Sequence, residues 1–125
     1  MPSLLLVMLG GAIGAGARHL SGRVTLAWWG ADYPWGTLAV NLIGGFLMGL
    51  LAGALIRFGQ SGEQMRLFLG VGILGGFTTF SAFSLDAMNL MQRGDWMTAL
   101  GYILASVIGS IAALALGLQL TRAVA

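Results

Sequence analysis

The feature that most constrains this chain is the spacing of its few charges. Four acids (Asp32, Glu63, Asp86, Asp95) and six arginines (Arg18, Arg23, Arg57, Arg66, Arg93, Arg122) leave four long uncharged runs, at 1–17, 33–56, 67–85 and 96–121. A helix needs about 20 apolar residues to cross the roughly 30 Å hydrocarbon core of a bilayer. All four runs meet that length, the first only just. Soluble domains carry about 25% charged residues. Here 58% of the residues are hydrophobic and 8% are charged, too few charges to clothe the surface of a soluble protein this small. An all-α integral membrane protein follows, one four-helix domain over 1–125 with spans near 2–22, 34–57, 64–93 and 96–121.

A cleaved leader is the competing reading of the first run. That run lacks a basic start, and Gly10, Gly11 and Gly14 suit helix packing, so a retained helix is expected. The chain has no cysteine, which excludes disulfides, thiolate metal sites and thiol chemistry. Its single histidine, His19, cannot alone build a haem site between helices. No nucleophile–base pair or metal-ligand cluster points to an enzyme. The arginines sit near span ends, where they suit lipid headgroups better than nucleic acid. Trp28, Trp29, Tyr33, Trp35 and Trp96 cluster at span ends too, as interfacial anchors do.

Lys/Arg asymmetry orients membrane proteins. Arg57, Arg66 and Arg122 fall on one side of a four-span chain, and Arg18, Arg23 and Arg93 on the other. The count is balanced, so copies are expected to insert both ways and to pair about a two-fold axis in the membrane plane. A single misassigned arginine would restore a bias. Glycine supports close assembly: Gly45, Gly49 and Gly53 recur every four residues on the second span, and Gly101, Ala105, Gly109, Ala113 and Gly117 on the fourth. Small residues at this spacing let helix backbones approach. Whether the partner helix lies in the same chain stays open at this level. One four-helix subunit has little room for an aqueous route, so a homo-oligomer is expected.

The chemistry is carried by residues 72–84, where paired glycines (Gly75, Gly76), paired threonines (Thr78, Thr79) and two serines (Ser81, Ser84) interrupt the third span. Glycine costs a helix about 0.8–1 kcal/mol relative to alanine. Residues 64–92 as one helix would also run roughly 43 Å, longer than a bilayer needs. Two arrangements satisfy this pattern. One is a break near 75–79 that frees carbonyls at mid-membrane, where only protein or a water-filled cavity can receive them; converging carbonyls suit a small hard cation. The other is a kink whose polar groups are satisfied within the bundle. Beyond it, Phe80 and Phe83 share a helix face, or nearly so, as do Ser81 and Ser84. Tyr102, Ser106 and Ser110 recur every four residues on the fourth span, and Thr37 and Asn41 are four apart on the second. Uncharged donors on three helices, with ring edges that carry positive quadrupole, could pass an anion. The alternative is that each hydroxyl bonds its own helix and the rings only pack.

The whole chain resembles the Fluc/CrcB family of small fluoride channels. Three stretches carry the likeness, in order. They are Gly36-Thr37-Leu38-Ala39-Val40-Asn41, the run Gly75-Gly76-Phe77-Thr78-Thr79-Phe80-Ser81-Ala82-Phe83-Ser84, and Gly109-Ser110. The resemblance implies passive fluoride export across a bacterial inner membrane by an antiparallel homodimer with two pores and a central sodium ion. By matching positions, main-chain oxygens of Gly75 and Thr78 would hold the sodium. Asn41, Phe80 and Phe83 would line the pore with Ser81, Ser84, Thr37 and Thr79, and Tyr102, Ser106 and Ser110 would continue the polar route. Arg18 would line a vestibule. Ala82 stands where many members have threonine and Leu114 where some do, so these positions supply no hydroxyl and the polar route is expected to be shorter or differently lined. A small multidrug-resistance-type transporter is also a four-span, dual-topology dimer, but it needs an intramembrane carboxylate; the first span has none, and Asp86 sits near the end of the third. A membrane subunit without transport of its own is the remaining alternative.

Overall fold

The computed structural model describes residues 2–56 and 62–124. Arg57, counted above on one side of the membrane, lies outside the described residues. Among the described residues regular structure is entirely helical, and four segments are long and apolar enough to cross a membrane. The first two are α1 (Ser3–Trp29) and α2 (Trp35–Leu55). The third is composite: α3 (Gly62–Met65), a π-helical stretch (Arg66–Leu74), α4 (Gly75–Phe77) and α5 (Phe80–Gln92). The fourth is α6 (Trp96–Val124). The protein is a multi-pass membrane protein. α1 runs seven residues past the expected end of the first span, because the helix continues through the polar turn of Ser21 and Arg23 toward the tryptophans.

Turns end the helices where glycine allows it. Gly30 takes φ +79° after α1 and its N–H bonds the Leu26 carbonyl at 2.9 Å. Gly94 takes φ +86°. Its N–H reaches the Met91 carbonyl at 3.0 Å, and the Asp95 N–H reaches Leu90 at 3.0 Å. This pair of bonds satisfies carbonyls that a helix end otherwise leaves open. The resulting tight turn brings α6 antiparallel to α5. Arg93 ties it to the first loop, donating to the Asp32 carbonyl at 3.0 Å and pairing with Asp95 at 3.2 Å.

Two backbone-close contacts hold the bundle. A Cβ at Gly72 would fall 2.9 Å from Gly10 Cα, and one at Gly76 2.6 Å from the Gly11 carbonyl, so α1 lies directly on the third span. On the other side, α2 lies on α6. A Cβ at Gly45 would fall 2.9 Å from the Ser110 carbonyl, and Gly49 and Gly53 face Leu114 and Thr121. The partner of the α2 glycine stripe is therefore within the same chain. The α6 row divides: Gly109 and Gly117 face α2, whereas Gly101 meets nothing within 4 Å. Four residues advance a helix about 40° beyond one turn, so over sixteen residues the row winds through about 160° and cannot stay on one face. Most large apolar side chains elsewhere are exposed, as expected where lipid or another subunit is the neighbour.

Candidate functional site

The third span is broken, at Thr78 and Thr79 alone. Thr78 (φ −84°, ψ 158°) and Thr79 (φ −153°, ψ 117°) are extended, while Gly75 and Gly76 remain helical. The break strands backbone groups on both sides, and each stranded group with a bond shows what the site is built from. The Leu74 carbonyl accepts from both the N–H and the hydroxyl of Thr78 at 3.0 Å. Thr79 Oγ1 caps α5 by accepting from the Ala82 N–H at 3.1 Å. Arg18 Nε donates to the Gly76 carbonyl at 3.3 Å.

Asn41 supplies the rest. Its Oδ1 accepts from the Thr79 N–H at 2.8 Å and its Nδ2 donates to the Thr79 carbonyl at 3.1 Å. One side-chain amide thus replaces the helical partners of one peptide unit. Only one amide orientation satisfies both bonds, and it leaves one N–H of the –NH2 group free to donate again. Because the Thr79 N–H is diverted to Asn41, the Gly75 carbonyl loses its usual i+4 donor.

Asn41, Thr78, Thr79, Phe80, Phe83, Ser106 and Ser110 converge on one cavity of about 410 Å³ between α2, the break and α6. Its remaining lining is apolar or glycine and includes Leu114; among the described residues no charged side chain lines it. Ser106 is 5% exposed, and its Oγ has no hydrogen-bond partner among the described residues. A buried hydroxyl left open in this way costs about 1–3 kcal/mol unless something in the cavity takes its bond. The Phe80 and Phe83 rings lie 5.5 Å apart, tilted by 43°. Phe83 is buried, whereas Phe80 is 77% exposed, so one wall of this cavity is open within a single chain.

A second cavity, of about 290 Å³, is lined by Arg18, His19 and Arg23 from α1, by Thr37 and Val40 from α2, and by Thr79 and Ala82. Thr79 borders both cavities. Tyr102 is fully buried and lines neither cavity. Its ring packs 5.4 Å from Phe83 and 5.6 Å from Tyr33, and its hydroxyl donates to Asp86 Oδ2 at 3.3 Å. Asp86 was passed over as a site residue in the sequence. The signal was its place one turn beyond Ala82, but its partner is sixteen residues away on α6.

Ser81 and Ser84 line neither of these cavities. The Ser84 hydroxyl donates to the Phe80 carbonyl at 2.9 Å, which is the own-helix bonding that serine commonly shows, and Ser81 Oγ lies 3.3 Å from Thr79 Oγ1. Gly75 faces away, onto a largely apolar cleft of about 680 Å³ between α2 and the first half of the third span. The Glu63–Arg66 pair, 2.7 Å apart, stands at its rim.

Residues 5–118 match the family model described as CrcB-like protein, Camphor Resistance (CrcB). The chain belongs to the CrcB family. Among its relatives, proteins named fluoride-specific ion channel FluC are 57% identical in Mesorhizobium japonicum, over 98% of both chains, and 56% identical in a Chelativorans species, over 99% of both. One of the same name from Sphingopyxis alaskensis is 53% identical over 98% of this chain and 97% of its own. The CrcB match reaches into all four membrane segments, so the break, both cavities and the α2–α6 contact lie within the matched residues.

Proposed function

We propose that this chain is the subunit of a fluoride channel that lets the ion leave the bacterial cytoplasm passively, and that the Asn41–Ser110 cavity is part of its path. The observation that carries the reading is the unpaired, buried Ser106 hydroxyl in an uncharged cavity. Fluoride leaving water needs donors to replace its hydration, held weakly enough or at enough successive sites for it to leave again. Ser106, Ser110, the spare N–H of Asn41 and the ring edges of Phe80 and Phe83 offer weak, successive replacements. The relatives named as fluoride-specific channels support the same substrate. Belonging to CrcB sets aside the drug-exporter alternative, and Asp86, bonded to Tyr102, is not standing free as a coupling carboxylate. Vesicles carrying the protein are expected to release trapped fluoride and to retain trapped chloride. Equal release of both would refute selectivity.

The working unit is an antiparallel homodimer. Three features support it: the open wall at Phe80, the exposure of Gly75, and the arginine balance of the sequence. A partner meeting this chain at its break would bring a second Gly75 and Thr78. Main-chain oxygens are the ligands a hard cation such as sodium prefers, and the Gly75 carbonyl has lost its helical donor, so these residues fit that ion. It would supply fixed positive charge between the subunits. Gly75 gives a clean test. Among the described residues an added Cβ meets only the Gly70 carbonyl, at 3.6 Å. Gly75→Leu should therefore fold yet shift the purified protein largely to monomer, whereas Gly101→Leu, on an open face, should stay dimeric. A Gly75→Leu dimer as stable as the parent would rule out contact there. Sodium absent from the dimer after exchange into potassium buffer would remove the ion from the account.

A further inference from the structure

We propose that Tyr33, in the loop between α1 and α2, is a positioning residue for fluoride passage: it holds Tyr102 against Phe83 and so fixes the place of the Phe83 ring in the cavity wall. The inference rests on the fluoride-channel reading and extends it to a residue that lines none of the three cavities.

Four rings from three parts of the chain follow one another. Tyr33 meets Tyr102 edge-on, with centroids 5.6 Å apart and planes at 88°. Tyr102 meets Phe83 at 5.4 Å, and Phe83 meets Phe80 at 5.5 Å. All three spacings fall in the range where aromatic pairs attract through their quadrupoles. Phe83 thus has two ring neighbours, but Phe80 is itself 77% exposed within the subunit and lends little support. Tyr102 is the firm side: it is fully buried, and its hydroxyl is tied to Asp86 at 3.3 Å. That bond fixes only the tip of the side chain, and the ring behind it rests on Phe83 and Tyr33. Among the described residues no ring pair joins Tyr33 to Phe83 directly, so the influence of Tyr33 passes through Tyr102.

A loop residue can act as a wedge only where its own backbone is fixed, and Tyr33 is held from both sides. Before it, the Asp32 carbonyl accepts from Arg93 at 3.0 Å, which pins the loop to the turn between α5 and α6. After it comes Pro34, and a residue that precedes proline is kept out of the helical region. The Tyr33 carbonyl accepts from the Trp35 N–H at 2.8 Å, and the Trp35 ring lies 4.6 Å from the Tyr33 ring. Without the Tyr33 ring, Tyr102 is free to tilt away from Phe83, and the Phe83 edge is no longer presented at one place. Losing one aromatic pair shifts a population by about twofold to tenfold, which sets the size of the effect.

Fluoride efflux from vesicles tests this, counted per folded protein so that lost stability alone does not register. Tyr33→Leu should lower the flux about threefold to tenfold, and Tyr33→Phe, which keeps the ring, should match the parent. The deciding comparison is a double-variant cycle with Phe83→Ile. Once Phe83 is gone there is no ring to place, so adding Tyr33→Leu should leave the flux of Phe83→Ile unchanged. Should Tyr33→Leu fail to fold, Tyr33→Met, whose flexible side chain fills the space without a ring, is held to the same two expectations. A flux equal to the parent's in the ring-free variant, or an equal loss in both backgrounds, overturns the inference and leaves the channel reading standing. A parent that carries no fluoride refutes the channel reading, and the inference falls with it.

Discussion

Asn41→Asp should cut fluoride flux by at least about a hundredfold. The carboxylate can still accept from the Thr79 N–H, but it cannot donate to the Thr79 carbonyl, which it would face with a negative charge in place of a 3.1 Å hydrogen bond. The same charge would stand in the wall of the cavity proposed as the ion's path. Two like charges about 4 Å apart repel by about 4 kcal/mol at a dielectric constant of about 20, enough for a roughly thousandfold effect before any relaxation. Asn41→Ala separates the two roles. It adds no charge but leaves a peptide N–H and carbonyl unpaired at membrane depth, costing about 1–3 kcal/mol each. Stability should fall and flux with it, by about tenfold to a hundredfold. Fluoride efflux measured on the protein that still folds decides. Flux within twofold of the parent in Asn41→Asp would mean that ions do not pass Asn41.

Phe80→Ile and Phe83→Ile should each lower flux by about tenfold or more, since isoleucine keeps apolar bulk but has no electropositive ring edge. Their stabilities should diverge. Phe83 is 8% exposed and packs against both Phe80 and Tyr102, so its loss forfeits two aromatic pairs of about 0.5–1.5 kcal/mol each. Phe80, largely exposed in one chain, should cost the subunit little. Phe46 on α2 lines none of the three cavities and serves as the packing control. Phe46→Ile is expected to conduct within twofold of the parent. If all three variants fold and conduct alike, the two rings are ordinary packing residues.

The four membrane segments were legible in the sequence because a charge at mid-bilayer is so costly that the gaps between charges become the helices. The interruption of the third span was legible too, but its centre was not. The glycines drew attention to 75–79, yet Gly75 and Gly76 stay helical and Gly76 serves as a contact surface for Gly11. The backbone opens at the threonines because Asn41, thirty-eight residues earlier, takes both bonds of Thr79. No local pattern announces a partner that distant. The π-helical stretch at Arg66–Leu74 gave no sign either, since its composition is that of any apolar helix. Ser106 and Ser110 line one cavity, whereas Tyr102, in the same four-residue row, does not. A four-residue row winds around its helix, and Tyr102 ends on the side facing Asp86 and Phe83. Ser81 and Ser84 illustrate the opposite limit: spacing shows that two hydroxyls share a face, not whether their own helix has already claimed them.

Fluoride is expected to cross as a free anion, without a coupled proton. Vesicles loaded with potassium fluoride separate the two cases. A channel's outflow should stall within moments as charge builds up, then run to completion when valinomycin lets potassium follow. Efflux that proceeds fully without valinomycin, and that a proton gradient drives, would contradict the account and make this chain a coupled carrier.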